Sequence, residues 1–277
     1  MKPKPRIPYT FSMNFNIGTF NYRNRNITYY TKGAGKPLII LHGWGSESKV
    51  MMPLAESLTD LRECHLIDFP GFGQSDEPEE PWGIEDYAEM VIAYIDQKTG
   101  EANVDFLVHS FGCRVILLLC SENGISDRID KVLITGGAGL KPRRSLNFYL
   151  RKYTAKTLKL PFMILPESSR EKGLNKLRKT SLWKKLGSSD YQKLTGVMRE
   201  TFVKSVTRYM DDLLPDIDHE ILLLWGENDD ATPMDQAKRL EKGLKNSALV
   251  TIEGAGHYAF LDQRARFTAI AKAFFEG

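Results

Sequence analysis

The fold of this chain is decided by one stretch, Val104-Asp105-Phe106-Leu107-Val108-His109-Ser110-Phe111-Gly112-Cys113-Arg114-Val115. Its first half is an apolar run of strand length, and its second half begins an apolar helical pattern. A serine at this junction lies on a sharp strand-to-helix turn, with its Oγ projecting above the sheet. The turn also brings the backbone N–H of Phe111 to the helix N-terminus, where the helix dipole favours an oxyanion. We therefore expect Ser110 to be a nucleophile rather than a simple helix cap.

Short apolar runs alternate with helical patterns on both sides of this stretch. The runs are Pro37 to Leu41, His65 to Ile67, Val104 to Val108, Lys131 to Thr135, Ile221 to Trp225 and Ala248 to Ile252. The helical segments are Glu47 to Leu58, Glu85 to Gln97, Phe111 to Glu122, Met234 to Leu244 and Tyr258 to Phe275. This alternation predicts an α/β fold with a mostly parallel sheet and helices on both faces.

The N-terminal part of the chain has a different pattern. Apolar and polar residues alternate loosely from Met13 to Thr31, which predicts an antiparallel hairpin with its turn at Asn24 to Asn26. Residues Met1 to Pro8 contain basic residues and prolines but no apolar core of a secretory signal, so we expect a flexible tail.

One segment differs from the rest in charge. Residues 141 to 208 contain 18 Lys or Arg and four Asp or Glu, a net charge of +14, which leaves −11 for the remainder of a chain whose total is +3. The segment contains no convincing strand. We therefore predict a core domain formed by residues 1–140 and 211–277, with residues 141–210 inserted as a helical cap.

Composition indicates a globular, intracellular protein. The chain of 277 residues is 42% apolar and 26% charged, which is enough for a sizeable core. Its three cysteines, Cys64, Cys113 and Cys120, lie within or beside apolar stretches, which favours a reducing, cytoplasmic location. The longest apolar runs are far shorter than the roughly 20 residues of a membrane span.

The serine motif resembles the nucleophile elbow of the α/β-hydrolase family, Gly-x-Ser-x-Gly. The match is His109-Ser110-Phe111-Gly112, and the sequence departs from the pattern at two flanking positions. Val108 replaces the first glycine, and Cys113 replaces a glycine that often follows the second. Small residues are expected there because strand and helix approach closely around a strained serine.

The family order of catalytic residues, Ser, then Asp or Glu, then His, implies the partners of Ser110. His257 follows the last apolar run, in Gly254-Ala255-Gly256-His257-Tyr258, and is the implied base. Asp229 ends the segment that resembles the acid-bearing strand and is the implied acid. Asp230 and Glu227 are the fallback candidates, and a helix-capping role for Asp229 before Pro233 stays open.

Two further loops resemble those of the family. Leu41-His42-Gly43-Trp44-Gly45 matches a His-Gly-x-Gly pattern, which implies that the backbone N–H of Trp44 completes an oxyanion hole with that of Phe111. His42 itself is interpreted as a structural brace. The segment from Asp68 to Ser75 resembles a structural loop of the family, and His65 and His109 are interpreted as packing residues.

The sequence shows no spacing typical of a metal site and no P-loop, so we predict no cofactor and no metal. It also shows no nucleic-acid-binding signature. The basic segment is interpreted either as a solvated helical face or as a charge-selective entrance, and the second interpretation predicts a small-molecule substrate carrying a carboxylate or phosphate. Nothing in the sequence indicates an oligomeric state.

The resemblance therefore implies a serine esterase that works through an acyl-enzyme. A serine nucleophile argues against relatives that use an aspartate instead. Hydrolysis of a carbon–carbon bond, a thioester or a lactone remains an alternative within the family, and Val108 leaves open a non-catalytic ligand receptor of the same fold. Apolar residues of the predicted cap are candidates for an acyl pocket: Phe148, Tyr149, Tyr153, Leu158, Phe162, Met163, Trp183 and Met198.

Overall fold

A computed structural model describes residues 14–122, 124–143 and 196–277, together with shorter pieces of the intervening segment at 154, 157–158, 160–164, 166–178, 180 and 194. The predicted N-terminal tail lies outside the described residues. So do four of the candidate pocket residues, Phe148, Tyr149, Tyr153 and Trp183.

Eight strands form one sheet in the order β1-β2-β4-β3-β5-β6-β7-β8. The strands are β1 (Asn16–Tyr22), β2 (Arg25–Lys32), β3 (Pro37–Leu41), β4 (Glu63–Ile67), β5 (Val104–His109), β6 (Ile129–Thr135), β7 (Glu220–Gly226) and β8 (Ser247–Ile252). β2 pairs antiparallel with β1 and with β4, and all other pairings are parallel. The predicted α/β fold with a mostly parallel sheet and an N-terminal hairpin is confirmed.

Helices cover both faces of this sheet. The described helices are α1 (Ser48–Glu56), α2 (Ile84–Thr99), α3 (Gly112–Leu119), α4 (Glu167–Arg178), α5 (Gly196–Thr207), α6 (Met234–Gly243), α7 (Ala259–Asp262) and α8 (Arg264–Glu276). One hydrophobic cluster joins the sheet to α2, α3 and α6, and the other joins it to α1, α7 and α8. Within the described ranges, none of the helices combines the length and the apolar content that a bilayer crossing requires.

The central strands are apolar on both sides because both sides are buried. Along β3, Ile39 and Leu41 belong to one cluster, and Leu38 and Ile40 belong to the other. Successive side chains of a strand point to opposite faces, so an uninterrupted apolar run supplies both cores at once. Each such side chain contributes about 2 kcal/mol when it is fully buried.

The turn of the N-terminal hairpin begins one residue earlier than expected and ends two residues earlier. The turn consists of Arg23 and Asn24, both with positive φ (48° and 59°), while Asn26 already pairs with Asn21 in the ladder. A two-residue turn with both φ angles positive matches the right-handed twist of the flanking strands. The predicted turn at Asn24 to Asn26 is therefore wrong in its position.

The C-terminal helical segment is broken where one continuous helix was expected. Gln263 leaves the helical region (φ −130°, ψ 53°) and separates α7 from α8. The carboxylate of Asp262 accepts the backbone N–H of Gly256 at 2.8 Å. This bond ties the short α7 to the loop that carries His257, a tertiary contact that periodicity does not reveal.

A buried ion cluster lies at the N-terminal edge of the sheet. Asp105, fully buried in β5, accepts a hydrogen bond from Lys36 Nζ at 2.6 Å and one from Arg62 Nε at 2.8 Å. The backbone N–H of Lys131 donates to the same carboxylate at 3.1 Å. Two cations and a backbone donor therefore compensate the cost of burying this charge.

The insertion between β6 and β7 joins the core through a compact neck. Met210 N–H donates to Gly139 O at 3.0 Å, and Lys141 N–H donates to the carboxylate of Asp211 at 2.7 Å. Arg239 bridges the two sides, with bonds to Lys141 O at 2.9 Å and to Asp211 at 2.6 Å. The division of the chain into a core and a cap remains a prediction.

Candidate active site

Ser110 lies directly between β5 and α3 in a strained backbone conformation. Its φ is +50°, a region that residues other than glycine rarely occupy. The strain is held by three backbone hydrogen bonds: Ser110 N–H to Thr135 O (3.1 Å), and the N–H groups of Cys113 (3.1 Å) and Ala138 (2.9 Å) to Ser110 O. Strain of about 1–3 kcal/mol persists only where surrounding contacts impose it, and such residues cluster at functional sites.

Two glycines make the close approach at this turn possible. A Cβ on Gly112 would lie 2.9 Å from both Cβ and O of Leu41, and a Cβ on Gly43 would lie 3.1 Å from Ser110 Cβ. The distances at Gly112 are too short for a side chain, and at Gly43 a neighbouring group would have to move. The loop after β3 and the start of α3 can therefore flank the serine only because these positions lack a Cβ.

The two departures from the glycine pattern are accommodated differently. Val108 is a fully buried strand residue, paired with Leu41 on one side and Ile134 on the other, so its branched side chain packs inside the sheet. Cys113 gains its room from Gly137, because a Cβ at position 137 would lie 2.8 Å from Cys113 Sγ.

His257 lies on the loop between β8 and α7, at the same edge of the sheet. Its Nδ1 is 2.9 Å from Asp229 Oδ2, and its side chain is 15% exposed. A carboxylate only accepts hydrogen bonds, so Nδ1 carries the proton and Nε2 of the neutral ring is left with its lone pair. The ring is thus held in the tautomer of a general base.

Asp229 is the acid that contacts His257, and its side chain is fully buried. Its Oδ1 accepts the N–H groups of Ala231 and Thr232 at 2.9 Å each, which fixes the carboxylate plane. The fallback candidates Asp230 and Glu227 are exposed, and Glu227 accepts the N–H of Gly254 instead.

Thr232 is a site residue that the sequence analysis missed. Its Oγ1 lies 2.8 Å from Asp229 Oδ2, 2.9 Å from Gly136 O and 3.3 Å from His257 Nδ1. The hydroxyl therefore connects the acid, the base and the loop after β6. A threonine three residues after an acidic strand end is a signal that could have indicated this role.

The loop after β6 brings the serine and the histidine to one place. Ser110 bonds to Thr135 and Ala138, and a Cβ on Gly136 would lie 2.9 Å from His257 Nδ1. Within the described residues no hydrogen bond joins Ser110 Oγ to the His257 ring. In sites without substrate such bonds are often long and tighten when the substrate binds.

The two residues expected to supply the oxyanion donors contact each other through their rings. The rings of Trp44 and Phe111 are 5.2 Å apart, so the two loops that carry them meet beside Ser110. Neither backbone N–H has an acceptor among the described residues. Two unused donors next to a serine are the arrangement that stabilises an oxyanion.

His42 uses one ring nitrogen within its own loop and the other to bind the segment after β4. Its Nε2 accepts the N–H of Phe69 at 3.0 Å, which leaves Nδ1 protonated to donate to Gly43 O at 2.8 Å. These bonds support its interpretation as a structural brace.

His109 has a contact that its interpretation as a packing residue did not include. Its Nε2 donates to the backbone oxygen of His257 at 3.1 Å, and the two rings are 4.7 Å apart. Complete burial, together with the positive charge that His257 can carry, holds the pKa of His109 well below its ordinary value of 6.5. A neutral His109 therefore anchors the loop of the base.

The described candidate pocket residues do not form one lining. Met198 is buried against Gly71, Phe162 packs on Gly173, and Met163 is 55% exposed. An aromatic contact from α5 lies closer to the site: Phe202 is 5.1 Å from Trp44, which is itself 4.8 Å from Phe72. These half-buried rings stand beside the oxyanion donors.

A family described as alpha/beta hydrolase fold has a sequence model that matches residues 36–263. The AB hydrolase superfamily protein YisY of Bacillus subtilis (strain 168) is 26% identical over 271 residues, which span 93% of this chain and 99% of that protein. The pimeloyl-[acyl-carrier protein] methyl ester esterase of Aliivibrio fischeri (strain MJ11) is 24% identical over 260 residues, spanning 90% of this chain and 97% of that protein.

Solved structures show the same architecture. The meta-cleavage product hydrolase from Pseudomonas fluorescens IP01 superposes with a TM-score of 0.69 at 18% identity, over 94% of this chain and 98% of that one. At this identity the likeness concerns the fold alone.

Proposed function

The chain belongs to the α/β-hydrolase fold family, and from this premise we propose that it is a serine hydrolase that cleaves carboxylic esters through an acyl-enzyme on Ser110. The observation that carries the proposal is the pair of His257 and buried Asp229, at 2.9 Å, beside a serine held at φ +50°. Strain, tautomer and unused N–H donors together favour acyl transfer.

In the first step, His257 Nε2 takes the proton of Ser110 Oγ as the oxygen attacks the substrate carbonyl carbon. The carbonyl oxygen becomes an oxyanion, held by the N–H groups of Trp44 and Phe111. Asp229 stabilises the imidazolium that forms without taking its proton. Collapse of the tetrahedral intermediate expels the alcohol, which receives the proton from His257.

In the second step, His257 removes a proton from a water molecule that attacks the acyl-enzyme. The same oxyanion donors hold the second tetrahedral intermediate. Its collapse releases the carboxylic acid, and His257 returns the proton to Ser110 Oγ. The cycle consumes one water and leaves the protein unchanged.

An ester is the proposed substrate because the relative from Aliivibrio fischeri is an ester hydrolase and matches almost the whole chain. We further propose that residues 141–210 form the cap, that the protein works in the cytoplasm, and that the basic cap favours small substrates carrying a carboxylate or phosphate. Hydrolysis of an anionic ester should then slow as salt rises, because screening weakens steering. An unchanged kcat/KM would contradict this part.

Replacement of the nucleophile tests the central proposal. Ser110→Ala should abolish both covalent labelling by a fluorophosphonate probe and turnover of a short-chain ester, and Ser121→Ala, a serine at the end of α3, should change neither. Substantial ester turnover by Ser110→Ala would refute the mechanism. A wild-type protein that never reacts with the probe would instead indicate a ligand receptor, and turnover of diketones, thioesters or lactones in place of esters would redirect the substrate class.

A further inference from the structure

Three large apolar side chains stand in solvent within five residues of the basic segment. Ile164 is 86% exposed, and Leu160 and Met163 are each 55% exposed. Residues 160–163 are helical, and Ile164 lies in the turn that follows. Single exposed apolar residues are ordinary, but a contiguous group marks an interaction site. We call these three residues the apolar tip.

A packing contact holds the tip in this position. The Phe162 ring packs directly on α4, where a Cβ on Gly173 would lie 2.4 Å from Phe162 Cδ1. Phe162 is half-buried in this contact, whereas its neighbours Leu160, Met163 and Ile164 remain exposed. One aromatic ring of this stretch therefore packs on α4, while the three residues of the tip remain in solvent.

Positive charge accompanies the tip. Lys172 directly precedes Gly173 on α4, and Lys176 follows Lys172 one turn later. Both are exposed. Arg170 lies on the same helix and is paired only loosely, at 3.6 Å, with Glu167. Across residues 141–208 the net charge is +14, against −11 for the rest of the chain. Exposed apolar side chains on a strongly basic segment are typical of helices that lie in the interface of an anionic membrane.

We propose that the apolar tip and its basic surroundings dock this protein on the surface of an anionic lipid bilayer. A bilayer admits protruding side chains of any shape between its headgroups, and its negative surface complements Lys172 and Lys176. An acidic protein would need a groove that matches the protrusion of Ile164. The tip projects from the surface rather than lining a cleft, so the lipid surface is the better complement.

The segment that carries the apolar tip joins the core beside the candidate site. The insertion leaves the core at Gly139 and returns at Met210, and Gly139 directly follows Ala138, which bonds to Ser110. From the same insertion, Phe202 reaches Trp44 beside the oxyanion donors. Where the proposed ester hydrolysis holds, its substrates would then include esters drawn from the bilayer.

Vesicle co-sedimentation tests the docking apart from the chemistry. The full chain carrying Ser110→Ala should sediment with vesicles of phosphatidylcholine mixed with phosphatidylglycerol, stay in solution with phosphatidylcholine alone, and detach as salt rises. Ile164→Glu should weaken the partition constant about tenfold or more. The substitution replaces an aliphatic side chain that would be buried in the bilayer with a charge beside anionic headgroups. The matched control is Ile17→Glu, at an isoleucine 64% exposed on β1, which should bind like the parent.

The double variant Lys172→Glu, Lys176→Glu should also lose binding to the mixed vesicles. Ile164→Glu without Ser110→Ala should hydrolyse a soluble short-chain ester at the wild-type rate, which shows that the fold is intact. Absence of sedimentation with anionic vesicles, or equal binding by Ile164→Glu and Ile17→Glu, would overturn the proposal. The proposal would also be overturned if the protein bound a purified acidic carrier protein but not vesicles, and if Ile164→Glu abolished that binding. Vesicle binding without any ester turnover would remove the proposed function and leave the docking intact.

Discussion

Asp105 and Asp229 both have fully buried side chains, at opposite edges of the sheet, and their surroundings differ in one respect. Asp105 at the N-terminal edge faces the full charges of Lys36 and Arg62. Asp229 at the C-terminal edge faces two backbone N–H groups, the Thr232 hydroxyl and the His257 ring.

The difference separates a structural charge from a working one. Permanent cations satisfy Asp105, so its pairing changes nothing during a reaction and serves stability alone. Asp229 is satisfied by neutral donors, so in the proposed mechanism its negative charge stabilises the imidazolium that forms when His257 takes a proton. The proposed mechanism thus gives Asp105 and Asp229 different roles, although both side chains are fully buried.

The largest expected effect is that of Asp229→Asn. The amide keeps the bonds from Ala231 and Thr232 but presents a donor or a neutral oxygen to His257, which loses its fixed tautomer and its counter-charge. We expect kcat to fall about 10⁴-fold with little change in the urea midpoint of unfolding. Steady-state kinetics and urea melts of the purified variant measure both. If Asp229→Asn lost stability but kept its turnover, Asp229 would have the structural role that we assign to Asp105.

The opposite outcome is expected for Asp105→Asn. Removing one partner leaves two cations facing a neutral side chain, and both retain some contact with water, so we expect a loss of about 3 kcal/mol in the free energy of unfolding. Turnover per folded molecule should not change. The control is Asp130→Asn, an exposed partner of the same Lys36, which should cost about 0.5 kcal/mol. Equal losses in the two variants would show that burial of Asp105 is not what matters.

A third test concerns pH, through His109. The pKa of this buried ring lies well below 6.5, so below about pH 6.5 the unfolded chain binds a proton that the folded chain does not. Stability from this group is therefore complete above pH 6.5 and declines as pH falls, by up to about 1.4 kcal/mol per pH unit.

The variant His109→Gln removes this titration and keeps an amide donor for the His257 carbonyl. Urea unfolding between about pH 7 and pH 5 should show a smaller loss of stability in the variant than in the wild type. Parallel curves would mean that His109 is protonated in the folded protein.

The smallest effect is expected at Thr232. Thr232→Val removes the hydroxyl beside Asp229 and His257 and should lower kcat about fivefold to tenfold, the value of one hydrogen bond. Thr232→Ser restores the hydroxyl and should recover most of the rate. Identical kinetics for the valine and serine variants would restrict Thr232 to packing.

The sequence was most informative where one local rule decided the outcome. Apolar runs such as Pro37–Leu41 predicted strands because burial on both faces leaves no polar position. The family motifs identified Ser110, Asp229 and His257, and the structure places Asp229 and His257 in contact and Ser110 beside them; their catalytic roles remain predictions.

The features that the sequence analysis missed depend on structure beyond a single helix or strand. Asp105 stands within an apolar strand, but only the fold shows that Arg62 and Lys36 reach it. The break at Gln263 is accompanied by a bond between Asp262 and the loop that carries His257, and the hairpin turn at Arg23–Asn24 fits the twist of the flanking strands. Hydrophobic periodicity does not predict these features, because it describes one helix or strand at a time.

The exchange of space between Cys113 and Gly137 has a consequence for how this elbow can change over time. The Cys113 thiol fills the space beside the bare backbone of Gly137. A methyl group at position 137 would clash with the sulfur, and a glycine at position 113 would leave a cavity. A Cβ at position 137 would also lie 2.6 Å from Ile134 Cγ2, so anyone redesigning the elbow should treat positions 113, 134 and 137 as one unit.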